Sequence, residues 1–391
     1  MRYLSTIVVI CSMLLNYPWC VGLNEKKEIK ENQLYAISAV LMDGDTGRIL
    51  YEKNGSEVRA MASTTKIMTL ILTLEYGNTD DIVTVSSYAA KMPDVQLGIK
   101  KGEQYRLKDL LYSLMLESHN DSAVAIAEHV GGDVEGFAAM MNKKAAELGL
   151  KNTYFITPNG LDATDDKGKH STTAADLALL MKYCTMESPK KDEFISICQT
   201  MQYSFTEYDG TRSFSVTNRN SFLTMMDGLI AGKTGFTTEA GYCYVAALER
   251  DQKTYIIALL GCGWPNNKTY KWSDSKKLFN YGIDNYDYEM ILDNSFASPN
   301  IRVKDGIEKS YISTYVSDNI SMIMCDEDNV RLESEIPEVI TAPISKDAIV
   351  GKLNVYINDE LFTSCNIYSS ESVKKTSYLY YLKTVVDCYI F

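Results

Sequence analysis

Residues 62–69, ASTTKIMT, place the hydroxyl of Ser63 one helical turn before the amine of Lys66. Side chains at positions i and i+3 lie on one face of a helix, so a helix here would bring the two groups within hydrogen-bond reach. The next residues, 67–74, are apolar nearly all round, which predicts a buried helix. A buried lysine must be paired or neutral, and a neutral lysine beside a serine is a general base beside a nucleophile.

The Ser-x-x-Lys pattern is a weak signal by itself because the chain contains it four times. The other three copies begin at Ser188, Ser273 and Ser372, and any of them can be a chance occurrence. The buried helix predicted after Ser63 favours that copy over the others.

Composition limits the possible functions of the chain. Its 391 residues allow two domains, and 46% hydrophobic with 23% charged residues is typical of a folded protein. A net charge of -12 argues against a nucleic-acid partner. Three histidines leave little room for a Ser-His-Asp triad or a histidine metal site, and we expect no metal and no cofactor. Outside the N-terminal segment there are seven cysteines, an odd number that favours free buried thiols over a disulfide framework.

Both ends of the chain carry targeting signals. Arg2 followed by the short apolar run 4–15 predicts a signal peptide over residues 1–22, and hence export. Residues 371–391 predict an amphipathic helix, with tyrosines and aliphatic side chains on one face, that lies in a membrane interface. The alternative is a terminal helix docked on its own domain.

The rest of the chain divides into two domains by its patterns. In residues 23–287 a helical middle is flanked by strands, which predicts an α/β fold of the α+β type: one antiparallel sheet packed by helices. In residues 288–370 helix signals vanish and short alternating segments recur, which predicts a small C-terminal all-β domain.

Two further polar clusters accompany Ser63 and Lys66. Ser118 and Asn120 lie between two predicted helices, and Lys233-Thr234-Gly235 ends a predicted strand. Ser-x-Asn occurs four times and is weak alone, whereas Lys-Thr-Gly occurs once. The three clusters in this order are far more specific than any one of them.

These motifs resemble those of the serine-type D-alanyl-D-alanine carboxypeptidases, the low-molecular-mass penicillin-binding proteins. The likeness extends to family-like segments spread along most of the chain: 45–54, 59–69, 109–132, 170–180 and 233–242, and less specifically to residues 351–353 and the amphipathic tail. It implies a β-lactamase/transpeptidase-like domain. It also implies a peptidoglycan stem peptide ending in D-Ala-D-Ala as substrate, β-lactams as inhibitors, and a location at the outer face of the cytoplasmic membrane or in the cell wall.

The resemblance implies three catalytic residues. Ser63 would attack the carbonyl between the two D-alanines, Lys66 would take its proton, and Ser118 would relay a proton to the leaving amine. Water would then hydrolyse the acyl-enzyme. General-base catalysis of this kind contributes about 10²–10⁴-fold.

The resemblance also implies five substrate-binding residues. Asn120 would hold the substrate amide and help to fix the base. Lys233 and Thr234 would bind the terminal carboxylate, and Gly235 would leave room for the substrate backbone. The N–H of Phe236, together with that of Ser63, would form the oxyanion hole.

Two positions depart from the family pattern, and two other functions are possible. His119 stands where small residues are common, and we expect it to be a rim contact rather than a base. Phe236 puts an apolar ring at the cleft entrance. A β-lactamase shares the motifs, but the loop 158–169 contains no glutamate to activate a deacylating water. The second alternative is a non-catalytic protein that binds the cell wall or senses β-lactams.

Overall fold

The structure is a computed structural model that describes residues 29–389. The predicted signal peptide, residues 1–22, lies outside the described residues, and so do the last two residues of the predicted tail.

A five-stranded antiparallel sheet forms the centre of the larger domain, with strand order β2-β1-β9-β8-β7. Strands from both ends of this domain therefore meet in one sheet, as predicted, because β1 pairs along its whole length with β9. The strand β7 lies at the edge. The five strands are β1 (Ser38–Asp43), β2 (Ile49–Lys53), β7 (Leu229–Thr237), β8 (Gly241–Arg250) and β9 (Lys253–Leu260).

Six helices and two short hairpins lie between β2 and β7. Nine consecutive residues of α1, from Lys66 to Leu74, are buried, as the apolar run predicts. The helices are α1 (Lys66–Tyr76), α2 (Leu107–Tyr112), α3 (Asn120–Gly131), α4 (Val134–Glu147), α5 (Ala174–Lys182) and α6 (Lys191–Gln199). The hairpins pair β3 (Ile82–Thr84) with β4 (Gln104–Arg106) and β5 (Gln202–Thr206) with β6 (Ser213–Thr217).

The sheet is covered on both faces, and the alternation along β8 shows how. Cys243 and Val245 point into the core shared with α1–α6. Tyr244 and Ala246 point the other way, into a core shared with the helix α7 (Tyr270–Asn285). Side chains of successive strand residues face opposite sides of a sheet, so one strand serves both layers.

The C-terminal domain is built from strands, as predicted. Its own core includes Leu353 and Ile367, and Arg48 of the larger domain forms an ion pair with Asp328. Its strands are β10 (Asp287–Leu292), β11 (Ile301–Lys304), β12 (Tyr311–Ile312), β13 (Thr314–Val316), β14 (Ile320–Met324), β15 (Val330–Glu335), β16 (Val339–Thr341), β17 (Ile349–Ile357) and β18 (Glu360–Ser369).

The terminal helix α8 (Tyr378–Tyr389) begins later than the sequence predicts. Val373 and Lys375 are extended and pair with Ile344 and Gly306, so this part of the tail belongs to the β domain. None of the described residues of α8 is buried, so the alternative of a docked helix is wrong. Within residues 29–389, no helix has the length and apolar character needed to cross a membrane.

Candidate active site

Ser63 lies in a tight 3₁₀ turn, Ala62–Thr65, that leads directly into α1. Ala62 has a left-handed backbone with φ of 49°, an uncommon conformation for a residue with a side chain and one that clusters at functional sites. The predicted helical spacing is confirmed, because the Lys66 Nζ lies 2.9 Å from the Ser63 Oγ.

Lys66 is completely buried and has three oxygen neighbours. Besides the Ser63 hydroxyl, its Nζ donates to the Asn120 Oδ1 at 2.8 Å and to the Asn159 carbonyl at 2.7 Å. Burial lowers the pKa of Lys66 well below its ordinary value; the nearby Lys233 cation lowers it further, and Asp121 partly opposes both effects. These surroundings therefore favour the neutral amine, the form that a general base needs.

Ser118 and Asn120 occupy a sharp turn between helical segments. A π-helical turn, Ser113–Glu117, ends at Ser118, which has a left-handed backbone with φ of 68°. Asn120 then begins α3, and its Nδ2 donates to the carbonyls of Pro93 and Asp94 at 3.1 and 3.2 Å. These bonds direct the Asn120 Oδ1 toward Lys66.

Lys233 extends from β7 and joins this turn to the sheet. Its Nζ donates to the Ser118 Oγ at 2.9 Å and to the Thr234 carbonyl at 2.8 Å. Burial lowers the pKa of Lys233 to about 7. The two lysines thus lie on either side of the two serines, and burial favours the neutral form of both, although Lys233 can still carry a charge near neutral pH.

Gly235 lets β7 approach the Ser63 turn closely. A Cβ at this position would lie 2.9 Å from the Ser63 nitrogen and 3.1 Å from the Thr64 nitrogen. Gly160 packs against the same turn, since a Cβ at position 160 would lie 2.0 Å from the Ala62 carbonyl oxygen. Two glycines therefore allow the chain to pack against the backbone of the candidate nucleophile.

Seven of the eight predicted site residues line one cleft of about 300 Å³, and Lys66 lies beneath its floor. The ring of Phe236 is 40% exposed at the cleft wall and contacts Tyr242, with centroids 4.7 Å apart, as predicted for an apolar group at the entrance. Among the described residues, no group of histidine, cysteine or acidic side chains is arranged to hold a metal ion. All seven cysteines between residues 184 and 388 are free thiols.

The prediction that His119 is a rim contact is wrong. The side chain is buried, with its Nδ1 2.8 Å from the Ser113 Oγ and its Nε2 3.5 Å from the Glu117 carboxylate. Burial lowers the pKa of His119. His119 is the single residue between Ser118 and Asn120. The sequence does not show which way such a side chain points, and in the structure it points inward.

Sequence reasoning missed three groups that hold the site. The Asn159 carbonyl oxygen contacts Lys66, and a backbone atom leaves no residue-type signal. Asp121 is fully buried, and its carboxylate fastens the loop beside Asn120 by accepting backbone N–H bonds from Leu97, Gly98 and Ile99. The only available signal was an acidic residue in the first turn of a helix.

The third missed group is His170, which supports the Ser63 turn from behind. Its Nδ1 accepts from the backbone N–H groups of Ile156 at 2.9 Å and Thr157 at 3.3 Å. Its Nε2 therefore carries the proton and donates to the Thr65 Oγ1 at 2.8 Å, and that hydroxyl donates to the Ala62 carbonyl. Burial lowers the pKa of His170 to about 4.

A buried lysine that holds a serine hydroxyl, set between a helical layer and the edge of an antiparallel sheet, defines an active-site-serine enzyme of the transpeptidase-like class. Residues 25–263 match the family model described as D-alanyl-D-alanine carboxypeptidase. Residues 292–375 match the model described as penicillin-binding protein 5, C-terminal domain. The chain belongs to the D-alanyl-D-alanine carboxypeptidase family.

Individual relatives agree with this assignment. The chain is 30% identical over 390 residues to D-alanyl-D-alanine carboxypeptidase DacF of Bacillus subtilis, covering 98% of this chain and 97% of the relative. It is 29% identical over 384 residues to DacA of Escherichia coli, covering 92% and 89%. The crystal structure of penicillin binding protein 5 from Haemophilus influenzae superimposes with a TM-score of 0.71 at 26% identity, over 89% of this chain and 100% of that one. The family, the fold and the serine-type D-Ala-D-Ala carboxypeptidase activity predicted from the sequence are confirmed.

Proposed function

We propose that Ser63 is the nucleophile and Lys66 its general base in the removal of the terminal D-alanine from peptidoglycan stem peptides. The main support for these two roles is the set of oxygen atoms around the Lys66 Nζ. A neutral amine has two N–H bonds and one lone pair. The Asn120 Oδ1 and the Asn159 carbonyl are pure acceptors and take both N–H bonds. In that form the lone pair is left facing the Ser63 Oγ 2.9 Å away, where it would accept the hydroxyl proton during attack.

The substrate carboxylate would bind at the edge of β7. A protonated Lys233 and the Thr234 hydroxyl are the groups suited to a terminal carboxylate, and a bound anion would raise the pKa of Lys233 from about 7. Ser118, held by Lys233, would pass a proton to the leaving amine. Asn120 would orient the substrate amide as well as Lys66.

The developing oxyanion would be stabilised by two backbone N–H groups, those of Ser63 and Phe236. An edge strand presents every second N–H outward, and the close approach of Gly235 to the Ser63 nitrogen supports a pairing of these two donors. Each such donor is worth about 3 kcal/mol of transition-state stabilisation.

Penicillin would acylate the same serine. The acyl group would then be released slowly, whereas a β-lactamase would hydrolyse it rapidly. Two acidic residues line the cleft wall. Asp94 is exposed and its carboxylate accepts from the Gln96 Nε2 at 3.3 Å. Glu117 is engaged by the Thr217 N–H at 3.0 Å and by Arg219 at 2.9 Å. Because these donors occupy its oxygens, it is poorly placed to activate a hydrolytic water.

The decisive experiment for this function is D-alanine release from a peptide ending in D-Ala-D-Ala, using the chain without residues 1–22. Ser63→Ala should abolish release and labelling by fluorescent penicillin. Ser273→Ala, which alters another Ser-x-x-Lys copy on an exposed part of α7, should retain both. Rapid penicillin turnover by the wild type would instead indicate a β-lactamase, and labelling without D-alanine release would indicate a sensor.

We also propose that the chain is exported and is held at the outer face of the cytoplasmic membrane by α8. Five of the large apolar side chains that this helix exposes are Leu379, Tyr381, Leu382, Val385 and Val386. A contiguous apolar face on a helix with a polar opposite face suits the interface of a bilayer. Deleting residues 378–391 leaves the paired tail residues of the β domain in place. The shortened chain should stay in solution when the full chain sediments with phospholipid vesicles, and equal sedimentation would contradict the proposal.

A further inference from the structure

Besides Lys233 and Arg219, a further cation lies along the cleft on the α7 side of β7. Lys271 is 7% exposed, is in the first turn of α7, and lines the same cleft as Thr234 and Phe236. Its Nζ lies 4.6 Å from the ring centroids of both Tyr242 and Trp272.

The surroundings of Lys271 leave its charge unpaired. Its Nζ donates to the Lys268 carbonyl at 2.5 Å, and it forms no ion pair with an acidic side chain of residues 29–389. A cation is also disfavoured in the first turn of a helix, where the helix dipole is positive. Burial lowers the pKa of Lys271 to about 8, so the group is still mostly charged near pH 7. A buried charge without a counter-ion is costly, and a ligand anion would relieve that cost.

The register of the sheet places this cation relative to the proposed carboxylate site. Phe236 is paired with Tyr242, and Thr234 is paired with Tyr244 on the same face of the sheet. Two residues along a strand correspond to about 7 Å. Lys271, above Tyr242, is therefore about two residues further along the cleft than the group expected to bind the terminal carboxylate.

We propose that Lys271, held between Tyr242 and Trp272, is a subsite for a second carboxylate of the peptide substrate. The inference rests on the proposed carboxypeptidase function and concerns the kind of peptide that is preferred. The second carboxylate has two possible sources: the side chain of the C-terminal residue that leaves, or the side chain of the residue that precedes the last two.

Matched peptides distinguish these sources. One pair ends in D-Ala-D-Glu or D-Ala-D-Gln. The other pair ends in D-Ala-D-Ala and carries either a free carboxylate or a carboxamide at the end of the third-last side chain. For each pair the measured quantity is the ratio of kcat/KM for the carboxylate to that for the carboxamide. A peptide that ends in D-Ala-D-Ala and carries neither the carboxylate nor the carboxamide reports whether the carboxypeptidase activity itself is present. Failure of the proposed function is therefore recognised separately.

In the wild type the ratio should be about ten or more in one pair, the effect of one hydrogen bond to a charged group. Lys271→Met should bring that ratio close to one, whereas Lys271→Arg should keep most of it. Lys276→Met is the matched control, because it removes the same charge from an exposed position of α7 and should leave the ratio unchanged. A wild-type ratio near one in both pairs would overturn the proposal, even if Lys271→Met failed to fold. A ratio that Lys271→Met and Lys276→Met change equally would also overturn it.

Discussion

Asn120→Asp is predicted to disable the base without changing the shape of the site. The substitution replaces the amide oxygen that lies 2.8 Å from the Lys66 Nζ with a carboxylate oxygen. Both residues are buried, so the new charge acts on Lys66 with little screening. An adjacent carboxylate favours the ammonium form, and an ammonium has no lone pair to accept the Ser63 proton.

The size of the effect follows from the geometry. At 2.8 Å and an effective dielectric constant of about 20, the attraction is about 6 kcal/mol. The variant also loses the donations from Nδ2 to the Pro93 and Asp94 carbonyls, about 1 kcal/mol each, but this loss lowers its stability equally whether Lys66 is protonated or neutral. The attraction therefore acts in full on the protonation of Lys66 and raises its pKa strongly.

The assay is the rate of acylation by fluorescent penicillin as a function of pH. A raised pKa keeps Lys66 protonated to higher pH, so the rate at pH 7 should fall and the midpoint of the pH profile should move upward, with the rate changing about tenfold for each pH unit below that midpoint. Asn120→Ala removes the same hydrogen bond without adding charge, so its rate should fall at every pH with no upward displacement of the midpoint. If the two variants share one midpoint, the assignment of Lys66 as the base is refuted.

Three further variants test other parts of the site. Gly235→Ala should slow acylation about 100-fold, because its Cβ would meet the Ser63 nitrogen, the proposed oxyanion donor. His119→Ala should lower the free energy of unfolding, measured with urea, by about 2 kcal/mol through a lost buried hydrogen bond and a cavity. His170 binds a proton in the unfolded chain below about pH 6.5 but in the folded chain only below about pH 4. Stability should therefore rise with pH across that window, by about 3 kcal/mol from this residue, and His170→Gln should lose that increment while His129→Gln keeps it.

A specific result would refute each of these predictions. A Gly235→Ala rate within twofold of the wild type would show that the close contact with Ser63 is not needed. Unchanged stability of His119→Ala would show that its buried bond to Ser113 contributes nothing. Identical pH dependence of stability in wild type and His170→Gln would show that this imidazole is not held neutral by the fold.

The parts of the site that sequence predicted are those set by local spacing. Ser63 and Lys66 are one helical turn apart, and β7 carries its three motif residues in consecutive positions. In each case a regular backbone determines where the side chains lie. The order of the motifs along the chain, together with the family resemblance, then indicated that they share a cleft.

The parts that sequence did not predict depend on contacts between distant segments. The Asn159 carbonyl reaches Lys66 across 93 positions, and nothing in its residue type marks it. His119 was misplaced because its orientation follows from the π-helical turn before it. The helix α6 was missed because Lys191–Gln199 is largely polar and buries just three residues, Phe194, Ile197 and Cys198.

The central claim, that Ser63 is the residue that becomes acylated, is tested most directly by locating the adduct. The chain is treated with a penicillin, digested, and the modified peptide is identified by mass spectrometry. The account predicts one adduct per chain, on the Ser63 hydroxyl, and none in Ser63→Ala. An adduct on Ser118 or Thr234, or undiminished modification of Ser63→Ala, would contradict it.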